Sequence, residues 1–488
     1  MSSQIGQRSS GRTFGAGDYG RRMTAYDLIV IGAGAVGENV ADYAKRKGLS
    51  VALVEGELVG GECSYWACMP SKALLRSTAV VRAARAVDGA AQAVTGEVDV
   101  AAVLRRRNSF TSGWDDSGQA DWVAGAGIDL IRGHATITGV REVTVDGVVH
   151  TANHAVVAAT GSTALLPDIP GLAEARPWTS REATSAQSVP QSLVVIGGGV
   201  VATEMATAYQ SLGSVVTLLA RSGLLGGQEP FAGELVGDGL RELGVDVRVG
   251  VSPVSVVRTE HDTVEVTLDD GSTIVADEVL VATGRVPRTS DLGLENVGIE
   301  PGDWLQVDDT LLVHGTDWLY GVGDVNHRAL LTHQGKYQAR AAGEVIAARA
   351  LGTELSTAPW GTHVATADDA AVPQVTFTDP EVASVGLTAE AATQRGIDVR
   401  VVDYDLASVA GSALHSDSYK GHARLVVDEG RKVVVGATFV GPEVSDLLHA
   451  ATIAVVGEVP IDRLWHAVPS YPTVSEIWLR LLDGYGRP

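Results

Sequence analysis

Tyr26-Asp-Leu-Ile-Val-Ile31-Gly32-Ala-Gly34-Ala-Val-Gly37 is the stretch on which the fold of this chain turns. An apolar run of strand length ends in glycine and is followed at once by a helical pattern, Glu38 to Lys47, and by a second apolar run, Val51 to Glu55. Strand, glycine turn, helix and strand in that order form the first unit of a doubly wound parallel sheet. Each glycine has a separate reason to be there. Gly32 permits the tight turn, Gly34 lets backbone approach a pyrophosphate, and Gly37 lets helix and strand pack closely. The free N–H groups of the helix N-terminus then face the phosphates. Glu55 ends the second strand, where a carboxylate can hold ribose hydroxyls.

Outward from this unit the pattern recurs. Leu193 to Ile196 reads as a strand, Gly197-Gly-Gly199-Val-Val-Ala202 as a turn with alanine in third place, Ala202 to Leu212 as a helix, and Val215 to Leu219 as the following strand. No carboxylate closes it. The strand runs into Ala220 and Arg221, and an arginine there can meet the 2′-phosphate of NADP, although a solvated surface arginine is the plainer reading. From about Pro373 the character changes. Strand-like runs (Gln374 to Phe377, Ala423 to Val427, Val433 to Phe439) alternate with a helix-like one (Ser445 to Val456), as in an α+β domain.

The chain has 488 residues, a formal net charge of -22 and two cysteines. The acidic balance argues against nucleic acid or anionic membrane as partner. No apolar run is long enough to span a bilayer, and no secretory signal is found. Residues 1–23, rich in Ser, Gly and Arg, read as a disordered tail, with Met23 an alternative start. A cytoplasmic location is expected.

The two cysteines lie in Gly60-Gly61-Glu-Cys63-Ser-Tyr-Trp-Ala-Cys68-Met-Pro-Ser-Lys72. Residues five apart on a regular helix stand about 8–9 Å apart. A disulfide needs Cα atoms within about 7 Å. If the two bond, the helix must be irregular between them. A helix N-terminus would also favour a thiolate. Two reduced, buried cysteines are the alternative. A zinc site is not expected, because no second Cys/His pair stands at zinc spacing.

This segment resembles the redox-active motif of the flavoprotein disulfide reductases (glutathione reductase, lipoamide dehydrogenase, mercuric reductase and relatives), with an unusual Ser64-Tyr-Trp-Ala67 spacer. The likeness continues in order. Ala159-Thr160-Gly161 and Ala282-Thr283-Gly284-Arg285 are similar to the family's two crossings between domains. Gly321-Val-Gly323-Asp324 is similar to its second FAD motif, Phe377-Thr-Asp-Pro-Glu381 and Val385-Gly386 to the start of its interface domain, and Pro472-Thr473-Val-Ser-Glu476 to its C-terminal signature.

The resemblance implies an α/β fold with two Rossmann-like dinucleotide-binding domains, for FAD and NAD(P), and a C-terminal α+β dimerisation domain. The boundaries expected are 24–162 and 285–365 for FAD, 163–284 for NAD(P) and 366–488 for dimerisation. It implies that Cys63 and Cys68 form a disulfide, that Cys68 faces the flavin as thiolate, and that Cys63 meets the substrate. Lys72 and Glu204 would pair near the flavin. Cofactor contacts are expected from Gly32, Gly34, Gly37, Glu55, Gly61, Thr160, Gly161 and Asp324, and from Gly197, Gly199, Ala202, Arg221, Gly284 and Arg285. The cofactors implied are FAD and NADPH, with NADH left open. A homodimer is implied, in which Tyr471 and Glu476 face Cys63 of the partner subunit. His333 is read as structural.

One departure matters. The family's C-terminal signature carries a histidine where this chain has Tyr471. A tyrosine, with its pKa near 10, is a poor proton shuttle at neutral pH. His466 is a weak substitute. Three readings follow: reduction of an unidentified disulfide by NADPH through FAD and Cys63–Cys68; a quinone or diaphorase-type reductase working from the flavin; and a non-catalytic FAD protein. Mercuric reductase-like chemistry is disfavoured because there is no third cysteine. Lipoamide dehydrogenase-like chemistry is disfavoured by the absent histidine and by Ala220 standing where an acid is usual.

Overall fold

A computed structural model describes residues 24–487; the expectations of a tail over 1–23 and of a start at Met23 lie outside them. The first strand, β1 (Thr24–Ile31), lies between two parallel neighbours. One is β2 (Val51–Glu55), reached through helix α1 (Ala35–Arg46). The other is the last of the next strands, β3 (Asp129–Arg132), β4 (Ala135–Gly139), β5 (Glu142–Val145) and β6 (Val148–Ala158). The sheet order is β3-β2-β1-β6-β5-β4, and Leu319–Gly321 also pairs with β6. The eleven residues of β6 serve two purposes. Its first part closes an antiparallel ladder with β5, and its last part is a fully buried parallel strand beside β1 and 319–321. Leu28, Ile29 and Val30 have no exposed surface, as a strand covered on both faces requires. Burial of each such side chain contributes about 1.5–3 kcal/mol.

Helix α1 begins at Ala35, three residues before the sequence pattern suggests, because Gly34 is the extended N-cap and the helix forms inside the glycine turn. It packs along the helix Thr332–Leu351, where Gly343 lets the two backbones approach: a Cβ there would lie 2.5 Å from Cβ of Tyr43. Two further helices matter below. The short α2 (Gly61–Tyr65) carries Cys63, and the 18-residue α3 (Cys68–Arg85) starts at Cys68.

The chain leaves β6, makes the short strand Ser162–Ala164, and builds a second, all-parallel sheet in the order 246–249, 215–220, 192–196, 278–281. It returns through Arg285–Pro287, which lies antiparallel to Ser162–Ala164, so the outgoing and returning crossings sit side by side. The helix of this unit, Val200–Ser211, again starts inside its glycine turn, earlier than the pattern suggests. The C-terminal part is a five-stranded antiparallel sheet, 373–376, 381–386, 433–441, 422–428 and 399–405, with Leu448–Val456 and Ile477–Tyr485 packed against it. The helical run expected over 445–456 divides into a tight turn, Val444–Leu447, and the helix from Leu448. The fold is therefore mixed α/β, with two Rossmann-like sheets and a C-terminal α+β unit, as the sequence pattern indicates.

Candidate active site

Turning the chain from β1 into α1 demands glycine at two points. Gly32 has φ +97, and a Cβ there would stand 2.5 Å from the Ala159 carbonyl oxygen. A Cβ on Gly37 would stand 1.8 Å from the Gly32 carbonyl oxygen. Gly34 differs: a Cβ there would meet only Gly61 Cα, at 3.9 Å. The space in front of it belongs to a cavity of about 890 Å³ lined by Gly32, Gly34, Glu55, Gly61, Thr160, Gly161, Asp324 and Arg285, among others.

Glu55 is held rigidly at the cavity wall. Its carboxylate accepts the N–H of Ala33 and of Glu57, each at 2.7 Å. Burial raises its pKa, against these hydrogen bonds. The Thr160 hydroxyl is buried without a partner at the same wall. Asp324 accepts from the Ser162 hydroxyl at 2.6 Å, and Arg285 donates to the same hydroxyl at 2.6 Å and to the Ser162 carbonyl at 2.8 Å. A cavity of this volume, with a helix N-terminus, a fixed carboxylate and an unsatisfied hydroxyl in its wall, fits a dinucleotide such as FAD.

The second turn has the same logic at its first glycine. Gly197 has φ +140, and a Cβ there would lie 2.2 Å from the Ala282 carbonyl oxygen. Gly199 has nothing within 4 Å, so its front is open to a ligand. Ala202 is fully buried. Gly284, with φ +145, sits at the returning crossing. Arg221 is exposed just past the strand 215–220 and makes no hydrogen bond among the described residues.

The cysteine segment follows the geometric requirement. Helix α2 ends at Trp66 (φ -136, ψ 1), and Ala67 (φ -132, ψ -97) breaks the helix before α3 starts at Cys68. Both cysteines are half-buried and free, so the bond expected between them is not present in the structure. The contact between the two sulfurs is the main cause that lowers the pKa of Cys68. Burial works against it, while the Thr332 hydroxyl, 3.3 Å from the Cys68 sulfur, and the Lys72 charge work with it. The same contact, with burial, pushes Cys63 up. These influences favour the thiolate at Cys68 over Cys63, and Cys68 stands at the positive end of α3.

Lys72, one turn further along α3, donates to Glu204 at 2.7 Å. The other Glu204 oxygen accepts the N–H of Phe377 at 3.0 Å, and Lys72 lies over the Phe377 ring at 5.0 Å. One buried carboxylate therefore ties α3, the helix Val200–Ser211 and the C-terminal unit together. His333 bonds the Pro373 carbonyl at 2.7 Å, a structural contact.

Tyr471 and Glu476 are not brought to this site within the chain: no hydrogen bond joins either to Cys63. Tyr471 is 75% exposed and precedes a cis proline. Glu476 is buried, with one oxygen bonded to Arg480 at 2.5 Å and the other unpartnered. His466 is exposed. Glu57, Glu62, Trp66, Arg181 and Arg288 also line the large cavity, and the sequence reading passed over them. Glu62 and Trp66 stood inside the quoted cysteine segment; Arg181 carries no local signal.

A site of this kind, two dinucleotide folds meeting at a thiol pair, defines a flavin- and nicotinamide-dependent oxidoreductase. The chain belongs to the pyridine nucleotide-disulphide oxidoreductase family: residues 26–343 match that family's model, and residues 372–481 match the model of its dimerisation domain. It is 33% identical over 464 residues to a mercuric reductase of Staphylococcus aureus, covering 92% of this chain and 81% of that protein. It is 32% identical over 463 residues to a dihydrolipoyl dehydrogenase of Thermus scotoductus, covering 93% and 96%. Its fold matches that of the HOCl-induced flavoprotein disulfide reductase RclA from Escherichia coli, with TM-score 0.79, 24% identity, and 94% and 99% of the chains covered. The protein is an FAD- and NAD(P)H-using enzyme. Among the described residues no helix is long and apolar enough to cross a membrane.

Proposed function

We propose that this enzyme uses NADPH to reduce a disulfide acceptor through the Cys63/Cys68 pair. The observation that carries the reading is the asymmetry of the two sulfurs. Cys68 starts a helix, with the Thr332 hydroxyl 3.3 Å from its sulfur and the Lys72 charge favouring its thiolate, while burial and the neighbouring sulfur disfavour ionisation of Cys63. Bound FAD supplies the relay by which a nicotinamide regenerates the dithiol. Gly34, Glu55, Thr160, Gly161 and Asp324 would hold that FAD, and Gly197, Gly199 and Arg221 the NADPH.

In the acceptor step Cys63 loses its proton and attacks one sulfur of the substrate disulfide. One substrate thiolate leaves and a mixed disulfide forms. Cys68 then attacks Cys63, closing the Cys63–Cys68 bond and releasing the second thiolate. The proton shed by Cys63 is available to a leaving thiolate. The chain acts as a homodimer in this reading, with Tyr471 and Glu476 facing Cys63 of the partner subunit. The exposed Ile453, Val468 and Tyr471 on the C-terminal unit suit a covered face.

The exposed tyrosine supports a second reading. Tyr471 offers a hydrogen bond but no neutral-pH base, and transfer from the flavin to a quinone needs none. A Cys63→Ser variant separates the two. Disulfide reduction should vanish with quinone reduction retained; disulfide reduction surviving in the variant would refute the dithiol route.

A further inference from the structure

The break that lets Cys63 and Cys68 meet is costly in isolation. It interrupts a helix, leaves the terminal carbonyls of α2 without intrahelical partners, and puts Trp66 and Ala67 in non-helical conformations. Its surroundings come from a distant segment, the short helix Ser180–Ser185, which immediately precedes the second Rossmann-like sheet.

Arg181 on that helix reaches both sides of Cys63. Its Nε donates to Glu62, the residue before Cys63, at 2.5 Å. Its guanidinium lies over the ring of Trp66, at the break, 4.0 Å from the ring centroid. Its two terminal nitrogens are fixed by both oxygens of Glu57, at 3.0 and 2.7 Å, so the plane that stacks on Trp66 cannot swing. One turn on, the Thr184 hydroxyl makes its shortest contact, 2.8 Å, with the Trp66 carbonyl. A guanidinium fork can bond and stack at once, which an ammonium cannot. An isolated surface ion pair would contribute little. Here three contacts from one helix converge on a single break between two sulfurs.

We propose that Arg181 and Thr184 are positioning residues for the redox segment: from the helix Ser180–Ser185 they hold the break at Trp66–Ala67 in the shape that lets Cys63 and Cys68 bond. This rests on the reading of the two cysteines as the working pair. The residue that reaches both flanks of Cys63 thereby belongs to the segment entering the second nucleotide unit rather than to the cysteine loop.

The test uses the full FAD-loaded protein, reduced, desalted and then treated with diamide. Two thiols lose two electrons and two protons to the azo group, which becomes the hydrazine, and the Cys63–Cys68 bond forms. Loss of the two thiols is followed with a thiol reagent. Arg181→Ala, compared with wild type at equal FAD occupancy because Arg181 lines the cavity, should slow bond formation at least tenfold. Thr184→Val should slow it about threefold. Arg181→Lys, which keeps the charge toward Glu57 and Glu62 but loses the planar face over Trp66, should fall between Arg181→Ala and wild type. Wild-type rates in both Arg181→Ala and Thr184→Val would overturn the proposal. If Arg181→Ala does not fold, Thr184→Val decides alone, and an unchanged rate overturns it. If the wild-type thiols themselves fail to bond, the proposed function fails; if they bond at equal rates in all variants, only the positioning role does.

Discussion

The two glycine turns have the same backbone shape and different tolerances. In the first, the third glycine is compulsory, since a Cβ on Gly37 would lie 1.8 Å from a backbone oxygen. In the second, Ala202 fills the equivalent place and is fully buried. In the first turn the third glycine is followed by Glu38, a half-buried acid; the second has Thr203 there, with its hydroxyl turned back to the Gly199 and Val200 carbonyls. The first strand pair closes on Glu55, the second on Ala220 and Arg221. The first turn therefore tolerates no side chain at its third position, while the second accommodates a methyl group there.

The comparison breaks first at Gly37. Gly37→Ala cannot be absorbed by a side-chain shift, because the obstacle is backbone. Bound FAD per chain should fall at least tenfold, read from the ratio of visible to ultraviolet absorbance. Normal FAD content in this variant would mean that the first turn is as tolerant as the second. Ala202→Gly, its counterpart, should cost only about 0.5–1 kcal/mol of stability.

Glu38 gives the next largest effect. Its pKa is raised to about 7 chiefly by burial, with Lys336 opposing and Glu55 adding to the shift. The folded chain therefore holds this proton more tightly than the unfolded one between the ordinary value of 4.5 and about 7, and stability falls as pH rises through that window. Glu38→Gln should flatten the slope and stabilise the apoprotein at pH 8 by on the order of 2 kcal/mol. Parallel denaturation curves at acid and alkaline pH for the two proteins are the check. An unchanged difference would show that Glu38 is not the group responsible.

Gly199→Ala sharpens the contrast in the other direction. No protein atom lies within 4 Å of the added methyl, so FAD content and melting temperature should stay as they are. The KM for NADPH should rise about tenfold, equivalent to about 1.4 kcal/mol. An unchanged KM would remove Gly199 from the nucleotide cradle. The smallest effect is expected at Arg221, which is exposed and partnerless among the described residues. Arg221→Ala should lower the kcat/KM ratio of NADPH to NADH about fivefold; equal losses with both nucleotides would show that the arginine does not read the 2′-phosphate.

Much of the site was legible because its constraints are local. Gly32 and Gly37 are dictated by torsion angles and contacts within one turn, and helix rise and disulfide reach require a break between Cys63 and Cys68 if the two are to bond. The helix starts were read late, since a helix that begins inside a glycine turn has no apolar periodicity in its first residues. The pairing of Lys72 with Glu204 came from resemblance rather than spacing, because the two are 132 residues apart. Arg181 was passed over for the same reason: nothing around it in the chain marks it, and its meaning lies in Glu57, Glu62 and Trp66, more than a hundred residues earlier.

By itself the sequence determined two doubly wound units, the order in which they are threaded, and the condition that a Cys63–Cys68 bond would impose on the helix between them, since each depends on backbone sterics and periodicity over a few residues. Only the tertiary structure decided that Glu204 also ties Lys72 to the C-terminal unit through Phe377, and that Arg181 and Thr184 stand against the break. Charges and hydrogen bonds in a partly buried site act across space, and their partners are chosen by how the sheets pack rather than by their distance along the chain.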